Sequence, residues 1–111
     1  IDLDLPHHLV TLSTFEAIEG LQPFGSSNER PTISIRDVRV QETQIMGKDR
    51  SHLRVTVSTL RGPLKVLFWG AANRSREAAL GSKIDLAGIL KRDSWNGIDR
   101  LQMELKDFRP A

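Results

Sequence analysis

"LKVLFWGAANRSREAALGSKIDLAGIL", Leu64 to Leu90, decides the fold, because it sets a strand, a short helix and a second strand in a row. Leu64, Val66 and Phe68 alternate with Lys65, Leu67 and Trp69, the period of two that sends one set of side chains inward and the other outward. "AANRSREAALGS", starting at Ala71, breaks that period and carries Ala78, Ala79 and Leu80 to Gly81, a residue type that often ends a helix. "KIDLAGIL" then reads as a strand again.

Upstream, "HLRVTVSTL" alternates cleanly: Leu53, Val55 and Val57 fall on one face and His52, Arg54, Thr56 and Ser58 on the other. This is the pattern of a half-buried antiparallel strand, and Arg61-Gly62-Pro63 turns the chain out of it. Further upstream, Ile33 and Ile35 are in phase, and Val38 and Val40 are in phase after a one-residue slip near Asp37, which predicts a long, bent first strand with a β-bulge. Downstream, "KRDSWNGIDR", Lys91 to Arg100, carries an Asn-Gly turn signal and reads as a loop. After it Leu101, Met103 and Leu105 alternate with Gln102, Glu104 and Lys106 in a fifth strand that ends near Phe108. The order β-β-β-α-β-β predicts a mainly β domain over residues 32–111, a five-stranded OB-fold (Greek-key) barrel with a helix between strands 3 and 4. An SH3-like barrel normally lacks that helix, and five strands are few for a sandwich.

Residues 1–31 read as an extension and linker. "IDLDL" alternates as a short strand, and "STFEAIEGL" spaces Phe15, Ile18 and Leu21 for a short helix with Ser13 and Thr14 as candidate N-caps. "QPFGSSNERP" supplies the Pro, Gly and Ser of a linker.

A chain of 111 residues suits one core. Ile1 in place of Met predicts a piece of a longer or processed protein. No apolar run approaches the roughly 18–20 residues of a membrane span, and no leader pattern opens the chain, so a soluble protein without a membrane partner is expected. Cysteine is absent, which excludes disulfides and thiolate zinc sites and is compatible with a cytoplasmic location. Residues 1–30 hold five acids against one base, leaving 15 bases and 9 acids for residues 31–111. A cationic barrel favours a polyanionic partner, or an acidic surface of a neighbouring domain.

With the elements in place, "LQPFGSSNERP" resembles the Leu-x-Pro-Phe-Gly-x-Gly-Asn-Pro-x-Pro segment that precedes the OB domain of RecJ-type single-stranded-DNA-specific exonucleases, with Ser27 in place of Gly and Glu29 in place of Pro. "HLRVTVS", "LFWG", "GSKIDLAGIL" and "WNGIDRLQMELKDF" are similar to the family's later segments in the same order, from about Leu12 to Phe108. The resemblance covers the family's C-terminal OB domain alone, since its Asp-His-His nuclease signature is missing from the sequence. It implies a hydrolase of DNA repair and recombination as the parent, degrading single strands from the 5′ end with a divalent metal, Mg or Mn. In that parent this domain would capture and position single-stranded DNA beside the catalytic domains.

Catalysis by this chain is not expected: there is no glycine-rich phosphate loop and no sequence support for a Ser-His-Asp arrangement. His7 and His8 are adjacent without a supporting ligand pattern, and no metal or other cofactor is assigned to them. The outward positions of strands two and three instead collect His52, Arg54, Lys65 and Trp69, with Lys48 and Arg50 in the loop before them. Cations that hold phosphates beside a flat ring on which a base stacks, worth roughly 1–3 kcal/mol per base, suit a single strand of nucleic acid. Arg92 and Arg100 flank Trp95 at the expected 4–5 loop and complete the candidate set. Trp69 is the preferred stacking ring. Trp95 has two readings, a lid over a mostly aliphatic barrel or a second stacking platform, and it is expected to act first on stability, with Arg92 and Arg100 beside it contributing phosphate contacts. The competing account of the face is a solvated strand surface, or an interaction domain that docks on acidic partners such as the parent's own core or the tail of a single-strand-binding protein.

Overall fold

A computed structural model describes residues 2–21 and 30–111. In chain order these form β1 (Leu3–Asp4), a 3-10 helix (His7–Leu9), α1 (Leu12–Leu21), β2 (Ile33–Met46), β3 (His52–Thr59), β4 (Gly62–Phe68), a second 3-10 helix (Ala72–Ala78), β5 (Lys83–Trp95) and β6 (Ile98–Pro110). The sheet runs β1-β2-β3-β4-β6-β5, and β2 also pairs with β5, which closes β2 to β6 into a five-stranded barrel with β1 as an added strand. β4 and β6 are parallel neighbours, while the other barrel pairings are antiparallel. This is the OB-fold that the strand order predicts.

Closure depends on local breaks in register. β2 must pair with β5 through its first half and with β3 through its second, and it bends where the register slips between Ile35 and Val38. Asp37 sits in that slip with φ +56°, and its backbone N–H donates to Asp85 Oδ1 at 2.8 Å. A second slip, between Ala87 and Gly88, brings β5 so close to β6 that a Cβ on Gly88 would lie 2.3 Å from the Glu104 carbonyl oxygen. That slip also turns Phe108 inward, into the core shared by Ile33, Ile35, Leu53, Val55, Val66, Leu86 and Met103.

Three expectations are corrected. The "KRDSWNGIDR" segment is no loop: β5 and β6 remain paired rung by rung from Lys91↔Gln102 to Trp95↔Ile98, and only Asn96 and Gly97 turn. Both have positive φ, +50° and +76°, the geometry of a two-residue turn whose twist matches its strands. The segment after β4 is a 3-10 helix that stops at Ala78, with Leu80 exposed before Gly81, because Ala71 and Ala78 alone in this stretch bury against the barrel. The cap of α1 is Thr11, not Ser13 or Thr14: its hydroxyl accepts the Thr14 N–H at 3.1 Å. Most of the expected linker, residues 22–29, lies outside the described residues.

The N-terminal segment is packed on the barrel. Leu5, Val10 and Phe15 belong to the same buried core, Ile18 packs against it, and β1 pairs in parallel with the start of β2. The 3-10 helix after β4 is clamped from the other side by Arg74, whose guanidinium lies 4.3 Å from the Phe108 ring centroid and hydrogen-bonds Glu77, Asp107 and the Phe108 carbonyl. Arg74 holds the Glu77 and Asp107 carboxyls below their usual range, chiefly through those hydrogen bonds.

Candidate functional site

Strand alternation and the observed registers lay out the outer face row by row. One row crosses the sheet as Gln44, Arg54, Leu67, Glu104 and Ile89; the next crosses as Glu42, Thr56, Lys65, Gln102 and Lys91. Cations and acids are therefore interleaved here. Lys91 Nζ is 2.7 Å from Glu104 Oε1, and Arg54 hydrogen-bonds Gln44, so both side chains already have partners. Lys65 is exposed and makes no ion pair with another described residue.

At one end of this face stands the turn joining β2 to β3. Gly47 with φ +97° and Arg50 with φ +55° shape it, and the Ser51 hydroxyl donates to Asp49 Oδ1 at 2.7 Å. That bond is the main cause holding the Asp49 carboxyl below its usual range. Lys48 and Arg50 project from the turn without an ion pair among the described residues. Beside them the His52 and Trp69 rings meet edge to face with centroids 5.0 Å apart, and His52 Nδ1 accepts the Gly70 N–H at 2.9 Å. This second bond holds the imidazole, and through it the ring of Trp69, in place. Trp69 is nonetheless 54% exposed. Below it lies an apolar cleft of about 110 Å³ lined by Met46, Gly47, His52, Leu53, Leu67 and Trp69.

The opposite end is the tip of the β5–β6 hairpin. Trp95 lies directly across from Ile98, and the unbroken ladder from Ile89 onward places both on the outer face. Trp95 is 66% exposed and Ile98 53%, so Trp95 is not the lid over the barrel that its two readings allowed; the cover comes from Phe15, 6% exposed. Arg100 shares the tip's outer face opposite Asp93 and makes no ion pair with a described residue. Arg92 alternates to the other side: Nη2 is 2.9 Å from Glu16 Oε1, Nε is 3.7 Å from Asp99 Oδ2, and the guanidinium lies 5.7 Å from the Phe15 ring centroid. It ties the hairpin to α1.

The structure thus gathers His52, Arg54, Lys65 and Trp69 on one face, sets Lys48 and Arg50 at one end of it and Trp95 and Arg100 at the other, and separates Arg92 from them. Such a face can hold anions on unpaired cations and planar groups on two exposed rings. Two features escaped the sequence reading. Ile98 is the partner of Trp95, a pairing that the Asn-Gly turn signal fixes once both strands are carried up to it. Arg61, exposed in the turn between β3 and β4 and without an ion pair among the described residues, is a further cation at the hairpin's end of the barrel. Among the described residues no three His, Cys, Asp or Glu side chains come together to hold a metal ion, and His7 Nε2 lies 2.6 Å from the Arg36 carbonyl oxygen, to which it can donate.

Comparison with known proteins agrees with the fold. The family described as the RecJ OB domain matches residues 1–107. The single-stranded-DNA-specific exonuclease RecJ of Bacillus subtilis is 20% identical over 98 residues, which are 88% of this chain and 12% of that protein. RecJ of Thermus thermophilus in complex with Mn2+ superposes with a TM-score of 0.67 at 24% identity, over 100% of this chain and 15% of that one. A chain of a replication protein A heterotrimer bound to single-stranded DNA superposes with a TM-score of 0.59 at 17% identity, over 98% of this chain and 80% of that one. The chain therefore spans a small part of the RecJ proteins that it matches.

Proposed function

The chain belongs to the RecJ OB domain family, and on that premise we propose that it binds single-stranded DNA across the outer face of β3, β4 and β6, capturing substrate for a RecJ-type exonuclease. The observation that carries this reading is the company of exposed rings and cations without ion pairs among the described residues: Trp69 and Lys65 lie on one face, with Lys48 and Arg50 at one end of it and Trp95 and Arg100 at the other. Phosphates supply sequence-independent affinity, and only an unpaired strand can splay its bases onto a ring. The name of the Bacillus subtilis relative and the single-stranded DNA in the replication protein A structure support the choice of ligand.

Hydrolysis belongs, in this proposal, to a longer protein. Among the described residues no three His, Cys, Asp or Glu side chains come together, and a metal such as the Mn2+ of the Thermus thermophilus relative would be held elsewhere in that longer protein. The strand would be passed from this face to catalytic domains that hold the metal and cut from the 5′ end.

Single alanine substitutions at Lys65 and Arg100, measured by fluorescence anisotropy on a labelled single strand, test the proposal. Each should weaken binding and lower the salt slope by about 0.7, the contribution of one phosphate contact on a single strand. Arg36→Ala, which removes a cation paired with Asp4 at 3.3 Å, should leave both unchanged. Equal losses from all three would mean that bulk charge, not this face, attracts the strand.

A further inference from the structure

We propose that the strand is anchored at two points, on Trp69 at one end of the face and on Trp95 with Ile98 at the other, and that the span between them sets a footprint of about five nucleotides. This rests on the single-strand reading of the face and adds to it how the strand lies and how long it must be.

The span follows from the register. β4 and β6 run parallel with Lys65 opposite Gln102. Ile98 lies four residues before Gln102 and Trp69 four residues after Lys65, so the two ring sites are eight residues apart along the strands. At about 3.3 Å per residue this is roughly 25 Å. An unstacked strand extends roughly 7 Å per nucleotide, about twice its rise in a duplex, so about four internucleotide steps join the two rings.

Each end is equipped to hold a nucleotide. Trp69 stands beside Lys48 and Arg50; Trp95 stands beside Arg100. The rows between are weaker, since Arg54 is bound to Gln44, Lys91 is paired with Glu104, and Glu42 faces the same side. Lys65 is the cation left unpaired in those rows among the described residues. Neither tryptophan belongs to the buried core, so neither ring is occupied in holding the barrel together. The Trp95 end is also preformed: five consecutive rungs, Lys91↔Gln102 to Trp95↔Ile98, lead without a break to the Asn96-Gly97 turn.

Oligothymidylates of two to eight nucleotides, titrated into the wild-type chain, Trp69→Ala and Trp95→Ala, provide the test. Affinity of the wild type should climb steeply to about five nucleotides and flatten beyond. On the eight-mer each substitution should weaken binding by about 5- to 150-fold, and the steep rise with length should disappear. On the dimer each loss should stay within about threefold, because the other ring still offers a place. Each variant keeps one tryptophan, and its fluorescence should respond to the eight-mer. An eight-mer that Trp95→Ala binds like the wild type, with an unaltered length profile, would overturn the two-point anchoring and leave the single-strand reading standing. A wild-type chain that binds no oligomer of any length would overturn both.

Discussion

Phe15 gives its ring to the barrel core, while Trp69 and Trp95, the two largest side chains of the molecule, spend theirs in water. Exposed tryptophan costs solubility and returns nothing to packing, so its use is for contact with something else. The consequence is a division of labour that denaturation can check. Phe15→Ala should lower the unfolding free energy by about 3–5 kcal/mol, the usual loss for a buried phenylalanine. Trp69→Ala and Trp95→Ala should each stay within about 1 kcal/mol of the wild type, with any change in the His52 contact confined to Trp69→Ala. A large loss of stability from Trp95→Ala would show that the hairpin tip folds back on the barrel. The outward phase of Trp69 was legible in the sequence because alternation in β4 is regular. The cover of the barrel was not, since a helix spacing Phe15 and Ile18 has no mark telling which end of which barrel it closes, and an aliphatic core made Trp95 the nearer candidate.

At the scale of elements, the 3-10 helix after β4 has little apolar surface and depends on the Arg74 clamp to Glu77 and Asp107. Both carboxyls titrate below their ordinary values, 4.5 and 3.8, because Arg74 donates to their charged forms. Lowered folded-state values mean that the clamp's contribution is complete above the unfolded values and is lost as the pH falls through the folded ones. The melting temperature of the wild type should therefore fall more steeply between about pH 4.5 and pH 3 than that of Arg74→Met, whose curve lacks this component. Parallel curves would mean that these exposed pairs contribute nothing measurable. The bend of β2 was readable as a slip in hydrophobic phase at Asp37, and the break between Ala87 and Gly88 was not. Gly88 admits β6 through the absence of a side chain and leaves the alternation of β5 intact, so the slip shows only on β6, in the odd spacing of the buried Leu105 and Phe108. The hairpin was legible only in its turn: polar residues from Lys91 to Ser94 look like a loop because, Leu101 apart, their partners Asp99, Arg100 and Gln102 are polar as well.

For the whole molecule, the charge asymmetry along the chain becomes an asymmetry of surface. Glu16 and Glu19 of α1 are paired with Arg92 and Arg30, so part of the acidic opening is neutralised against the barrel, while Lys48, Arg50, Lys65 and Arg100 remain without ion pairs among the described residues on or at the ends of the outer face. The barrel was legible from strand order, and the outward phase of Arg54, Lys65 and Trp69 from alternation. Of the acids woven into the same face, Glu104 was legible from alternation, while Glu42 and Asp93 become visible only when the strand registers are known. The central claim, that this face holds an unpaired strand by phosphates and rings together, is tested most directly by a salt titration of the chain with a labelled single strand and with a duplex of equal length. Four unpaired cations predict that the logarithm of the single-strand affinity falls with the logarithm of salt concentration at a slope of about −3, and that the single strand binds more tightly than the duplex at every salt concentration. Affinity that is insensitive to salt, or equal for the two forms, would contradict it.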